Sequence, residues 1–510
     1  MFRKMVGLPI LVVGLLLQTA SAAFALPTRA DDTVITNCSD DIQLRNAIAE
    51  GGTISFNCGV ATVLLNGRIE VAKEVVIDGG GKITISGGNT SAFFQVFSNQ
   101  KLTLRGLTLS DGKFAGGYPL EIFGEATLDG VTMRNNQTDS SGGAVAVFNR
   151  LIVQNSTFQS NSATSTPSTA AKGAAILIDG GTAEVYNSVF SENTITGGSS
   201  TGGAISVNSG SLVVSESEFH SNSALDGAAI YLAENTQVTV THTLFDNNSG
   251  GYGGAIESWG TLNLEYSTLS NNEATIGDGG GLWMVKGVAD ISHSTFSHNQ
   301  AMTTGGGISC YADTISITHS TLNSNTATTN GAAIYSTCTL QLVNSTLSGN
   351  TATSGGGGVY QQQSGTATLG YVTIANNSAA FGAGVYNDGS GSSTLTIEKS
   401  LLANNTTGDC DGVVTSLGYN LSSDTHCADF TKTGDQKNVA LPLGPLTTNG
   451  GFTATHLPSN GNPAIDHVPA NECNSPTDQR DLARPQNSPC DSGAVEVEGV
   501  GNLFLPLLSR

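Results

Sequence analysis

STLSGNTATSGGGGVY, residues 345–360, decides how this chain is read, because its two halves recur together along most of the sequence. Taken alone, four glycines after a short apolar run suggest a flexible or phosphate-binding loop. Aligned on Asn350, however, the phrase returns at Asn136, Asn161, Asn193, Asn222, Asn248, Asn272, Asn299, Asn325, Asn377 and Asn405, about 27 residues apart. A period in that range marks a solenoid or a propeller. Three residues before each Asn stands an apolar anchor, from Met133 through Phe158, Phe190, Phe219 and Phe245 to Leu402. Five residues before the anchor runs a second apolar column, Val153 to Ile397, and two before it stands Ser in eight of ten copies, with Thr243 and Val372 the exceptions.

Strand alternation puts the anchor and the residue five before it on opposite faces. Both are apolar, so a corner must lie between them, with the small Ser turned inward and the residues three and four before the anchor turned outward. After each Asn comes G-[GA]-[AG]-[ILV], as GGAV at 142, GGAI at 253 and GAAI at 331, where small residues let the backbone turn tightly and approach the next coil. Each unit thus supplies about three short strands and three corners, too little to close a core alone. Stacked units pair strand on strand about 4.8 Å apart around a continuous apolar interior. The fold expected is all-β, a right-handed parallel β-helix of about 12–14 coils over residues 61–408, with the Asn column forming an amide ladder at one corner. A propeller blade needs about 40–45 residues, too many for this period.

The flanks read differently. Arg3 and Lys4, an apolar run from Met5 to Leu17 and the small residues Ala23-Phe24-Ala25 make 1–25 a secretory signal peptide, so the protein is expected outside the cell or at its surface. Residues 26–60 are expected to cap the first coil, with SDDIQLRNAIAE at 39–50 forming an amphipathic helix whose Leu44, Ala47 and Ile48 share a face. From 409 to 510 the repeat decays into a Pro-rich region with four cysteines, expected as the C-terminal cap. In an exported chain, the simplest pairing of the eight cysteines is sequential: Cys38 with Cys58, Cys310 with Cys338, Cys410 with Cys427, and Cys473 with Cys490. A net charge of −21 without basic clusters excludes nucleic acid and anionic membrane as partners. After the signal segment, no apolar run is long enough to span a bilayer, and a monomer is expected. The long insert SATSTPSTAAK at 162–172 is a flexible loop or a contact surface.

Chemistry is harder to find. Parallel β-helices often cleave glycans, but fold analogy does not establish an activity. Pectate-lyase-like chemistry needs clustered carboxylates for Ca²⁺ and a basic residue to abstract a proton or stabilise charge, and a galacturonase-like hydrolase needs paired Asp with His-Gly and Arg-x-Lys. From 142 to 405 the cations are Arg150, Lys172, Lys286 and Lys399, which do not recur in neighbouring units, and Asp226 and Asp278 occur singly at turns. GDCDG at 408 lacks an EF-hand spacing and reads as a cap turn. No catalytic residue and no cofactor are assigned. One column stands out: three residues before the anchor come Asn155, Asn187, Glu216, His242, Tyr266, His293, His319, Asn344, Tyr371 and Lys399. His242, Tyr266, His293, His319 and Tyr371 are therefore the candidate ligand face, an outward ladder suited to stacking on sugars. In adjacent coils His293 and His319 also suit a transition metal. Like side chains stacking on a solvated face is the plainer alternative and outweighs both.

The pairing of GGA[ILV] with FxxN, over most of 130–405, resembles the polymorphic outer-membrane protein repeats, which implies a surface-exposed or secreted β-helix, often an adhesin. Such proteins end in a membrane β-barrel, whereas about 100 Pro-rich residues follow the last repeat here. That tail resembles the choice-of-anchor Q proteins through GDCDG at 408, LGYNL at 417, LGPLTTNGG at 443, NPAID at 462, DQRDLARP at 478 and CDSGAVE at 490, with Asp481 standing where Gly is usual. The resemblance implies a surface protein whose C-terminal attachment varies, with NLFLPLLSR at 502–510 a remnant sorting or export tail or a buried end segment. The function expected is adhesion, envelope structure or glycan contact without catalysis. The alternative is a polysaccharide lyase or glycoside hydrolase acting along the β-helix face.

Overall fold

The computed structural model describes residues 32–114, 117–139, 142–166, 170–198, 200–486 and 489–497, so the signal peptide expected at 1–25 and the expected tail at 502–510 lie outside the described residues. The chain winds into a parallel β-solenoid of about 14 coils. One coil shows how the sequence does it. Leu282–Met284 forms a short strand, Val288–Ser292 a longer one, Thr295–Ser297 follows a sharp corner, and Gln300–Ala301 follows the Asn. Each pairs in register with its equivalent one coil on: Leu282 with Ile308, Ile291 with Ile317, Phe296 with Leu322, and Ala301 with Ala327.

The corner required by the two apolar columns is made by one residue. Asn155, Asn187, Glu216, His242, Tyr266, His293, His319, Asn344, Tyr371 and Lys399 all take φ between 45° and 52°. A single left-handed residue breaks the strict alternation, so Ile291 and Phe296 both face the interior, and both are buried. Ser294 beside it turns in: its amide donates to Ser320 Oγ at 3.1 Å, and its own Oγ donates to the carbonyl of Ser292 at 2.8 Å. At the glycine corner, Gly279 has φ +71°, and a Cβ there would lie 2.5 Å from the carbonyl oxygen of Leu282, so a side chain is excluded.

The interior is continuous. Phe158, Phe190, Phe219 and Phe245 stack face to face with ring centroids 4.7–4.9 Å apart. The Asn column is fully buried along most of its length. Nδ2 of Asn272 donates to Oδ1 of Asn299 at 2.9 Å and to the carbonyl of Phe245 at 3.0 Å, and its amide donates to Oδ1 of Asn299 at 3.0 Å. The same pattern runs from Asn136 to Asn405, so every amide is satisfied without water. Asp409 ends the ladder. It accepts from Asn405 Nδ2 at 2.8 Å and from the Ser422 and Ser423 hydroxyls at 2.8 and 2.9 Å, but GDCDG is not the cap turn expected, because Cys410–Gly412 is a strand paired with Val385–Asn387.

At the N-terminal end the helix α1, Ile42–Glu50, buries Leu44, Ala47 and Ile48. It joins Thr33–Ile35 to Gly52–Phe56, two strands already paired in parallel, so stacking begins within the segment expected to be cap. At the other end Cys410–Gly412, Thr415–Gly418 and Leu421–Ser422 carry the stack past residue 408, and Cys427 and Phe430 join the same apolar core. The four disulfides follow the sequential pairing. Beyond residue 438 the chain departs from the expected cap: it runs back along the side of the solenoid, where Val468 pairs with Cys490 and Thr447 with Thr455 in isolated antiparallel bridges.

Candidate functional site

The returning C-terminal segment lands on the outward column. His242 stacks on Tyr266 at 5.1 Å, Tyr266 on His293 at 4.5 Å, and His293 on His319 at 4.8 Å, with ring planes within 14° of parallel. Four of the five residues expected as one exposed ladder are therefore brought together as a stack. Tyr371 is not part of it, and its expected exposure is corrected: it lies two coils on, beyond Asn344, and is 2 % exposed. Its ring is covered by the Arg484 guanidinium at 4.6 Å, and its hydroxyl accepts from the Asn474 amide at 3.2 Å. Down the column, exposure falls steadily: His242 is exposed, Tyr266, His293 and His319 are half-buried, and Asn344, Tyr371 and Lys399 are buried.

The motif DQRDLARP builds this cover. Asp478 is fully buried and pairs with Arg480 at 2.7 Å, while Arg484 pairs with Glu496 at 3.0 Å with both side chains shut from solvent. Gln479, between them, reaches the solenoid: Nε2 donates to the Ser320 carbonyl at 3.2 Å and to Thr321 Oγ1 at 2.9 Å, and Oε1 accepts from Thr346 Oγ1 at 2.6 Å. Asn344 Nδ2 donates to Ser475 Oγ and to the Thr477 carbonyl, each at 3.0 Å, and His456 and Ser348 meet at 2.8 Å. Between the two surfaces remains a cleft of about 400 Å³, lined among others by His319, Asn344, Tyr371, Glu398 and Ser475.

At the open edge of the cover, Phe452 stands edge-on to Tyr266, ring centroids 5.3 Å apart at 89°, and is itself 50 % exposed. His242, Tyr266 and Phe452 make an aromatic platform assembled from two parts of the chain. Sequence reasoning missed Phe452 because it follows the last repeat and no periodicity links it to Tyr266. Further down, Asp481 reaches His293 Nε2 at 3.0 Å and His319 Nε2 at 3.8 Å. Nδ1 of His293 is buried without a partner, so the ring's proton belongs on Nε2, where Asp481 accepts it. Burial, reinforced by the neighbouring His293, pushes the His319 imidazole below its ordinary value.

A second feature was also missed. Asp226 does not stand alone: Glu257 lies near it in the next coil, on the outward side of Ile256–Ser258. Burial, with the Asp226 charge added, pushes Glu257 up to about 8, and burial pushes Asp226 up to about 6. Trp259 Nε1 donates to Glu257 Oε1 at 2.7 Å, while Oε2 is buried without a partner. Its signal was the register: Tyr231, Glu257 and Trp283 occupy one position of successive coils. Glu257 is 2 % exposed, which places its carboxyl out of reach of a polymer on the surface.

Fold and repeat define a right-handed β-helix carrying polymorphic membrane protein-type repeats. Residues 154–301 match the family described as right handed beta helix region, and residues 319–337 and 344–362 match the Chlamydia polymorphic membrane protein repeat. The chain is similar to the probable autotransporter YfaL of Escherichia coli (strain K12), 36 % identical over 87 residues, which are 16 % of this chain and 7 % of that relative's length. Among solved structures it is similar to a mannuronic acid specific polysaccharide family 6 lyase from human gut microbiota, at 10 % identity and a TM-score of 0.26, over 75 % of this chain and 91 % of that one. Among the described residues no helix is long and apolar enough to cross a membrane.

Proposed function

We propose that the protein is an extracellular or cell-surface β-helix that contacts a glycan without cleaving it, serving adhesion or envelope structure. The observation that carries this is the platform of His242, Tyr266 and Phe452, where a half-buried ring, an exposed ring and an exposed imidazole meet at the open edge of a polar seam. Tyr266 is stacked on both faces by His242 and His293, so it offers a sugar its edge and hydroxyl, and the exposed ring of Phe452 beside it offers the apolar surface. The autotransporter similarity and the surface-protein repeats support the location, and the tail's resemblance to choice-of-anchor proteins supports attachment through the C-terminal region. The protein acts as a monomer, and its ladder is the display surface.

The enzymatic alternative would need an acid able to reach the substrate. The most perturbed carboxyl, Glu257, is enclosed, and Asp409 spends its oxygens on Asn405, Ser422 and Ser423. A glycan panel probed with residues 26–510 tests the proposal, with product analysis of every glycan that binds. Tyr266→Asn keeps a residue that tolerates the left-handed backbone, so loss of binding reads the ring and not the fold. Binding is expected without shortened products, weakened at least tenfold by Tyr266→Asn and by Phe452→Ala. Undiminished binding in both variants, binding lost instead in Phe123→Ala at a separate exposed aromatic, or oligosaccharide products would each overturn it.

A further inference from the structure

We infer that His293, His319 and Asp481 form a site for one divalent transition ion of the zinc type, which ties the C-terminal segment to the side of the solenoid. One ring nitrogen of each imidazole and a carboxylate oxygen lie within 4.8 Å of one another, and Asp481 reaches Nε2 of His293 at 3.0 Å and Nε2 of His319 at 3.8 Å. The ligands come from two consecutive coils and from a segment 188 residues beyond His293. Two imidazoles and one carboxylate are a donor set that suits zinc and its neighbours, and not calcium or magnesium, which take oxygen.

The geometry requires a local rearrangement of these three side chains. Tetrahedral coordination at about 2.0–2.2 Å places two donors on one ion about 3.4 Å apart, so donors that now lie within 4.8 Å of one another close by up to about 1.4 Å. The two rings are stacked and parallel within 9°, with both Nε2 atoms beside the same carboxylate, so a ring must tilt for the in-plane lone pairs to converge on the ion. Asp481 sits at φ 65°, a left-handed position that an Asp or Asn tolerates, and the carboxylate is 56 % exposed while the imidazoles are 15 % and 17 % exposed. The ion would thus have two sheltered nitrogens, one carboxylate at the rim and an open side for water. It takes the place of the proton that His293 Nε2 shares with Asp481, and that proton moves to Nδ1. Because Nδ1 has no outer partner, the site is weaker than a fully supported zinc site by about 10–100-fold.

Function under this inference is mechanical. An ion held across the seam stabilises the covered state of the column, and its removal favours undocking of residues 441–497. The test uses the chain from residue 26 without an added His tag, stripped with EDTA and titrated with zinc sulfate by calorimetry. One zinc per chain is expected, with an accompanying rise in the thermal midpoint. Asp481→Asn, which keeps the backbone conformation, and His293→Phe, which keeps the ring stack, should each weaken binding at least tenfold and abolish the rise. His298→Ala, at an exposed imidazole immediately after the strand Thr295–Ser297, should leave both unchanged. Absence of one-to-one binding in the wild type, or full binding in Asp481→Asn and His293→Phe, overturns the site.

Discussion

At the residue scale the account turns on ten side chains held in the left-handed backbone region, among them two rings of the platform and both histidines of the seam. That conformation costs an ordinary residue about 1–2 kcal/mol, and a stacked aromatic pair returns about 0.5–1.5 kcal/mol. The two are comparable, so His242, Tyr266, His293 and His319 are tolerated where Asn is the cheaper choice, and the column varies in chemistry along its length. The Asn ladder lacks that freedom, because each amide satisfies groups in the coils on either side. Glu257 is a third case. Its carboxyl, held up to about 8 by burial, takes up a proton in the folded state that an unfolded chain, with a carboxyl near 4.3, has released. Stability from this group is therefore full at acid pH and is lost as pH rises through about 8. Glu257→Gln keeps the oxygen that accepts from Trp259 and removes the titration. Urea unfolding should show the variant gaining on the wild type between pH 5 and pH 8 by on the order of a few kcal/mol, and parallel pH profiles would refute the assignment.

At the element scale the corner strands and the glycine turns were legible, because period, anchor column and Ser column each report a local backbone requirement that repeats. The docking of the C-terminal segment was not. It rests on contacts such as Gln479 with Ser320 and Phe452 with Tyr266, which join distant parts of the chain once each and leave no period to read. The motifs DQRDLARP and CDSGAVE were visible as a resemblance, yet their physical role, the buried Arg484–Glu496 pair and the Gln479 contacts, became visible only in three dimensions. Removing one member of a buried ion pair strands the other, at a cost of about 3–5 kcal/mol. Arg484→Ala should therefore loosen this segment and uncover Tyr371 while the coils persist. Hydrogen exchange should rise at residues 470–496 and stay low in the strands from Val153 to Val343, whereas equal loss of protection in both would show that the segment is not a separable unit.

At the scale of the whole molecule, the solenoid is nearly one-dimensional: each coil contacts its neighbours, and the segment beyond residue 438 ties several coils together from outside. The candidate face was legible as a column and not as a site, since the sequence shows which residues recur and not what lies over them. Cover divides the column into an open part, His242 and Tyr266 with Phe452, and a closed part running through Asn344 and Tyr371 to Lys399. Hydroxyl-radical footprinting read by mass spectrometry measures this division side chain by side chain, with and without a bound glycan from the panel. The account predicts that Phe452 and Tyr266 are oxidised readily, that Tyr371 is protected at least tenfold relative to Tyr266, and that glycan lowers oxidation at Tyr266 and Phe452. Equal reactivity of Tyr371 and Tyr266, or a bound glycan that leaves the platform as reactive as before, would contradict it.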